Sequence, residues 1–153
     1  MAKSFVHTVF RIPVQSTKTS VVLSILRLVA GSAFIFHGWQ KIQNPIGWMG
    51  PDSSVPGFFQ LLAAISEFGG GIGWVLGLFT PLASLGIAST MTVAVCFHWI
   101  VRKDPFVNLT GGPSYELALV YLGIALVLLA LGPGRFSLDM LIFGERAEKG
   151  IYL

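Results

Sequence analysis

Several side chains able to carry protons or bind polar groups stand inside or at the edges of long apolar runs: Arg27, His37, Glu67, His98, Tyr115 and Glu116. The sharpest case is Glu67, the single charge in ISEFGGGIGWVLGLFTP at 65–81. A carboxylate in apolar surroundings must meet a counter-charge, reach water or take up a proton. Two readings of Glu67 follow. It accepts protons or orients a substrate, or it forms a structural salt bridge with Arg27 that fixes the first helix against the second. A carboxylate paired with arginine stays ionised, whereas one without a partner becomes protonated.

His37 and His98 admit three readings: proton transfer to a hydroquinone, axial ligation of a haem, or interfacial histidines bonded to loop carbonyls. Bis-histidine ligation needs two histidines at matching depth on different helices, but no further motif supports haem. Zinc has a weaker case, because Cys96 lies within a turn of His98 without CxxC or HxxxH spacing, so no metal site is expected. With Cys96 the only cysteine, dithiol chemistry within this chain is excluded.

These residues must be positioned by membrane helices. Hydrophobic residues make up 54% of the 153-residue chain and charged residues only 11%, against roughly 25% charged in an ordinary soluble domain. The mean hydropathy is +0.75. The formal charge of +3 is small and dispersed, which argues against nucleic-acid binding. Four apolar runs, at about 21–40, 58–79, 82–101 and 114–131, suit spanning helices of roughly 20 residues. Arg27 within the first run is wrong for the apolar core of an export signal.

The expected fold is therefore all-α, an integral membrane four-helix bundle over 21–134. A cytoplasmic arm at 1–20 precedes it and a cytoplasmic tail at 135–153 follows. The almost absent link at Thr80-Pro81 makes the second and third spans an antiparallel hairpin. Lys3, Arg11, Lys18, Arg135, Arg146 and Lys149 flank one side, and Lys41, Arg102 and Lys103 lie in the opposite loops. That bias places both termini in the cytoplasm of a bacterial inner-membrane protein.

With a rise of about 1.5 Å per residue, Glu67 lies roughly 13 Å below the start of its helix. His37, His98, Tyr115 and Glu116 stand at the outer ends of the other three, so the polar groups crowd the outer half of the bundle. Gly69, Gly73 and Gly77 recur every four residues and read as a helix-packing ridge. Gly71 and Trp74 share the Glu67 face instead, as the floor and wall of a polar pocket.

Four segments, in this order and spacing, carry a family resemblance. They are His37-Gly38-Trp39-Gln40-Lys41 after the arginine-bearing first helix, Glu67-Phe68-Gly69-Gly70 leading to Gly77-Leu78-Phe79-Thr80-Pro81, Tyr115-Glu116-Leu117-Ala118-Leu119, and Gly132-Pro133-Gly134-Arg135-Phe136-Ser137-Leu138-Asp139. Over about 23–140 the chain resembles the DoxX family of small bacterial membrane proteins. The resemblance implies a four-helix bundle related to thiosulfate:quinone oxidoreductase subunits, and with it a quinone-linked redox association.

The expected function is a membrane subunit of a quinone-dependent oxidoreductase, binding a quinone or similar lipophilic molecule. Glu67 and His37 would handle protons, Arg27 would keep Glu67 charged, and Trp74, His98, Tyr115 and Glu116 would line the site. No flavin, haem or iron–sulfur motif is present, so the electron donor would sit on another membrane or periplasmic subunit. The alternative is a non-catalytic subunit or scaffold, packed through the glycine ridge into a larger respiratory assembly or a homo-oligomer.

Overall fold

The computed structural model describes residues 15–144. Every regular element among them is helical: α1 (Thr17–Ile42), α2 (Gly57–Leu76), α3 (Thr80–Cys96) continued by a π-helical turn (Phe97–Val101), α4 (Glu116–Leu131) and the short α5 (Leu138–Phe143). Three of these, Thr17–Ile42, Gly57–Leu76 and Thr80–Val101, are long and apolar enough to cross a membrane, and Glu116–Leu131 is a shorter apolar helix. Most of the expected N-terminal arm, including Lys3 and Arg11, lies outside the described residues, as do Arg146 and Lys149.

α1 packs chiefly on α2, α2 on α3 and α3 on α4, while α1 meets α4 through a smaller contact. Phe34, Trp74, Ile87, Ala125 and Leu128 form the centre of the core. Trp74 is fully buried, edge-on to Phe34 with ring centroids 5.5 Å apart, and its indole N–H donates to Ser84 Oγ at 2.9 Å. That donor needs a partner because an unmet N–H in an apolar interior is costly.

The closest helix approach is between α1 and α2, and glycine permits it. An added Cβ at Gly31 would strike Gly71 O and Val75, and one at Gly71 would strike the backbone of Ile35 and Gly31. At Gly38 it would drive into the backbone of Phe68. The expected ridge of Gly69, Gly73 and Gly77 is not this seam. A Cβ at Gly69 would meet nothing within 4 Å, and Gly73 lies against Leu78 O and Ala83. The buried stripe of α2 instead runs through Gln60, Ala64, Glu67, Gly71 and Trp74, alternating four- and three-residue steps that keep to one helix face. A strict four-residue repeat drifts off that face.

Gly77 has another task. With φ +63° it closes α2, with its N–H on Trp74 O at 3.1 Å and the Leu78 N–H on Gly73 O at 2.8 Å. Its missing Cβ leaves the space that the Arg27 guanidinium fills. Arg27 Nη2 donates to Phe136 O at 2.6 Å and to Ser24 Oγ at 3.3 Å. Asp139 supplies the opposing charge.

The segment after α4 is not a loose tail at first. Arg135 N donates to Ser20 Oγ on α1, and Ser137 caps α5 by accepting from Met140 N at 3.2 Å. The buried Asp139 carboxylate takes the N–H groups of Phe79 at 2.7 Å and Thr80 at 2.8 Å. Asp139 thus caps α3 from sixty residues away, where Phe79 offers no side-chain oxygen of its own. Replacing it removes a cap worth about 1 kcal/mol and the negative charge that opposes the buried Arg27 guanidinium. Asp139→Ala is accordingly expected to lower the thermal unfolding midpoint in micelles well below that of Asp139→Asn, which keeps one acceptor. Equal midpoints for the two variants and the native chain would contradict this role.

Candidate functional site

Glu67 sits on the buried face of α2, its side chain only 3% exposed, and its partner is Lys41 rather than Arg27. Lys41 Nζ donates to Glu67 Oε1 at 2.5 Å. The helix register explains the correction. Gly31 lies against Val75, and Gly38, seven residues on, lies against Phe68, seven residues back. In that antiparallel register the last turn of α1 comes to Glu67, while Arg27 comes to Gly77 at the other end of α2. Ten residues separate Glu67 from Gly77, roughly 15 Å of helix. Arg27 therefore cannot reach Glu67, whose ion-pair partner is Lys41.

Lys41 belongs to a stripe that runs along one face of α1: Arg27, Gly31, Phe34, Gly38 and Lys41. Its spacing of alternating four and three residues is visible in the sequence and was the available signal. Lys41 stands in the last turn of α1 and not in the loop that follows.

Trp48 completes the surroundings of the ammonium, which lies 4.5 Å from the centre of the indole ring. This tryptophan is on the connection between α1 and α2, and buried Gln60 ties that connection down. Gln60 O accepts from Trp48 Nε1 at 3.0 Å, its Oε1 accepts from Met49 N at 3.0 Å, and its Nε2 donates to Val55 O at 2.8 Å. Sequence reasoning missed Gln60, because nothing local in a single polar residue near a helix start announces three bonds to a loop.

Between α1 and this loop lies an open cavity of about 540 Å³, lined by Phe36, His37, Gln40, Lys41 and Trp48. Its volume is in the range of small-molecule sites. Two aromatic walls, an imidazole, a carboxamide and an ammonium line a recess whose ammonium is paired with a buried carboxylate. Aromatic faces of this kind are able to stack on a flat ring, and the carboxamide, ammonium and imidazole are able to donate hydrogen bonds to oxygen atoms. The His37 ring also meets Tyr121 of α4 edge-on at 6.5 Å.

The other expected lining residues are elsewhere. Trp74 is enclosed in the core and presents no surface to a ligand, because Phe34 fills the space over Gly71 where the pocket floor was expected. His98 stands at the π-helical end of α3, where Nδ1 and Asp104 Oδ2 are 2.6 Å apart; Arg102 Nε is 3.1 Å from the same oxygen. Its partner is thus a side chain, not the loop carbonyl of the structural reading. Tyr115 packs on Phe106 and Trp99, and Glu116 is exposed at the start of α4. Of the expected set only His37 lines the cavity, and Glu67 stands behind it as the buried partner of Lys41.

The DoxX family model matches residues 22–100. An uncharacterized protein of Haemophilus influenzae is 34% identical over 126 residues, covering 79% of this chain and 90% of its own. The Escherichia coli K12 inner membrane protein YqjF is 31% identical over 124 residues, covering 77% and 89%. No solved structure matches significantly.

The partner assignment is open to direct measurement. Lys41→Met leaves a buried carboxylate without its counter-charge, so Glu67 takes up a proton. Infrared difference spectra of this variant are expected to gain a protonated-carboxyl band that the further change Glu67→Gln removes. Arg27→Met is expected to give no such band from Glu67, and its appearance there would refute the pairing.

Proposed function

The chain is a multi-pass inner-membrane protein of the DoxX family, and on that premise we propose that it binds a quinone or similar lipophilic redox molecule in the cavity beside Lys41. In this reading the bundle spans the membrane four times with both termini in the cytoplasm. The cavity then faces the outer half of the bilayer. Chemistry and position both favour a ligand with an apolar body and a polar ring. Phe36 is 77% exposed on the cavity wall, suited to lipid contact, while the adjacent His37 and, about a turn on, Gln40 and Lys41 offer polar groups.

The single observation that carries the proposal is the junction of this half-open aromatic recess with a buried ion pair at its inner wall. A bound quinone exchanges two electrons together with two protons. Within the chain His37 is the exposed proton carrier, and the Lys41–Glu67 pair holds charge at the inner wall. Trp48 excludes water from one side of Lys41 and offers a ring face for stacking. Electrons come from a donor on another subunit.

A second reading, a subunit whose task is assembly, is favoured by Gly69. This residue is exposed among the apolar Ile65 and Ile72 of α2, with open space where a Cβ would stand. Such a notch admits the backbone of a neighbouring helix. Gly69→Leu fills it without disturbing the fold and is expected to weaken co-purification of any partner while leaving ligand binding intact.

The redox reading is tested by binding of an uncharged short-chain benzoquinone to the purified chain in lipid nanodiscs. Trp48→Ala is expected to weaken binding about tenfold, from the loss of one stacked aromatic wall at about 1 kcal/mol or more. Native protein that binds no quinone above empty discs would overturn the proposal.

A further inference from the structure

We infer that Glu67 sets the charge selectivity of the cavity: by neutralising Lys41 from behind, it makes the site choose an uncharged polar ring over an anionic one. The inference rests on the binding reading above and adds the class of ligand. An ammonium lining an apolar recess is ordinarily an anion receptor, since a phosphate, sulfonate or carboxylate can take its N–H groups. Here the carboxylate has already done so.

Three observations define the electrostatics. Lys41 Nζ makes its short contact with Glu67 Oε1, and that carboxylate is almost wholly buried while the lysine side chain keeps 23% exposure at the cavity. The negative charge is therefore fixed and inaccessible, and only the positive partner faces a ligand. Trp48 covers a further face of the ammonium. Finally, Glu67 Oε2 has no hydrogen-bond partner among the described residues, so Lys41 is the one donor found there for this carboxylate.

An incoming anion would be drawn to Lys41 and repelled by Glu67 just behind it, and would lose its water for little net attraction. A neutral carbonyl or hydroxyl pays a smaller desolvation penalty and still receives a hydrogen bond from the ammonium, which keeps N–H groups beyond the one given to Glu67. Among the other groups lining the cavity, Phe36, Gln40 and Trp48 carry no charge. The Lys41–Glu67 pair is the fixed ionic feature of the wall.

Changing either partner removes the ion pair, but the two changes move the charge in opposite directions. That separates an electrostatic role from a merely structural one. The experiment uses the full chain in nanodiscs of zwitterionic lipid at about pH 8, above the histidine range, and two probes. They are an uncharged short-chain 1,4-benzoquinone and the same ring bearing a sulfonate, each corrected for partition into empty discs.

The native chain is expected to bind the uncharged probe at least about tenfold more tightly than the sulfonate. Glu67→Gln frees the ammonium and is expected to shift the ratio toward the sulfonate by about tenfold, while Lys41→Gln exposes the carboxylate and shifts it the other way. Lys41→Gln/Glu67→Gln restores neutrality and with it the native preference, a control for variants that fold poorly. If the native chain binds neither probe, the cavity is not a ligand site and the functional reading fails with the inference. If the native chain binds the uncharged ring but both single variants move the ratio in the same direction, or leave it unchanged, the charge assignment is wrong and the site stands.

Discussion

Everything in this bundle follows from how closely α1 and α2 approach and in what register. Gly31, Gly38 and Gly71 bring the two backbones together at points where a single methyl group would collide with main chain. Lipid offers no hydrophobic drive for helices to associate, so close packing of this kind and polar contacts between helices must supply it. Once the glycines interlock, the register is set along both helices. It delivers Lys41 to Glu67 at the loop end and Arg27 to the Gly77 turn at the other.

Two buried charged groups are thereby settled at opposite ends by different means. At the loop end the ion pair borders a cavity, and one partner keeps contact with it. At the other end Arg27 is enclosed by Gly77, Phe136, Ser24 and the charge of Asp139, whose carboxylate also takes up the first N–H groups of α3. The second arrangement ties α1, the α2–α3 turn and the segment after α4 into one latch. Removing the Asp139 carboxylate leaves the Phe79 and Thr80 N–H groups without this acceptor, which in an apolar interior costs more than the bond itself contributes. The loop end, with half-open surroundings and a loop held through Gln60, has the freedom a ligand site needs.

Much of this was legible in the sequence. Apolar run lengths and the Thr80-Pro81 break located the helices, and the segments from His37 to Lys41 and from Gly132 to Asp139 indicated the family. The α1–α2 seam is not the four-residue repeat of Gly69, Gly73 and Gly77, because a packed helix face follows an alternating four-and-three stripe. Glu67 stands out in the sequence as a lone acid in an apolar run, but its partner is Lys41 and not Arg27, because depth along antiparallel helices depends on a register that composition does not disclose. The Asp139 cap and the Gln60 anchor join residues far apart in sequence or in unlike elements, so no local pattern announces them. Trp74 shows the limit of face arguments, since sharing the face of Glu67 placed it correctly in the interior but did not say that Phe34 would fill the space beside it.

The central claim is that Lys41, and not Arg27, is the counter-charge of Glu67. The most direct measurement is a solid-state NMR dipolar recoupling experiment on the chain in lipid bilayers. It would use nitrogen labels in the lysine ammonium or arginine guanidinium groups and a carbon label in the glutamate carboxylate, with Glu67→Gln to assign the signal. The account predicts strong coupling between a lysine nitrogen and the Glu67 carboxylate, lost in Lys41→Met, and none from arginine. Strong coupling of the Glu67 carboxylate to an arginine nitrogen, lost in Arg27→Met, would contradict it.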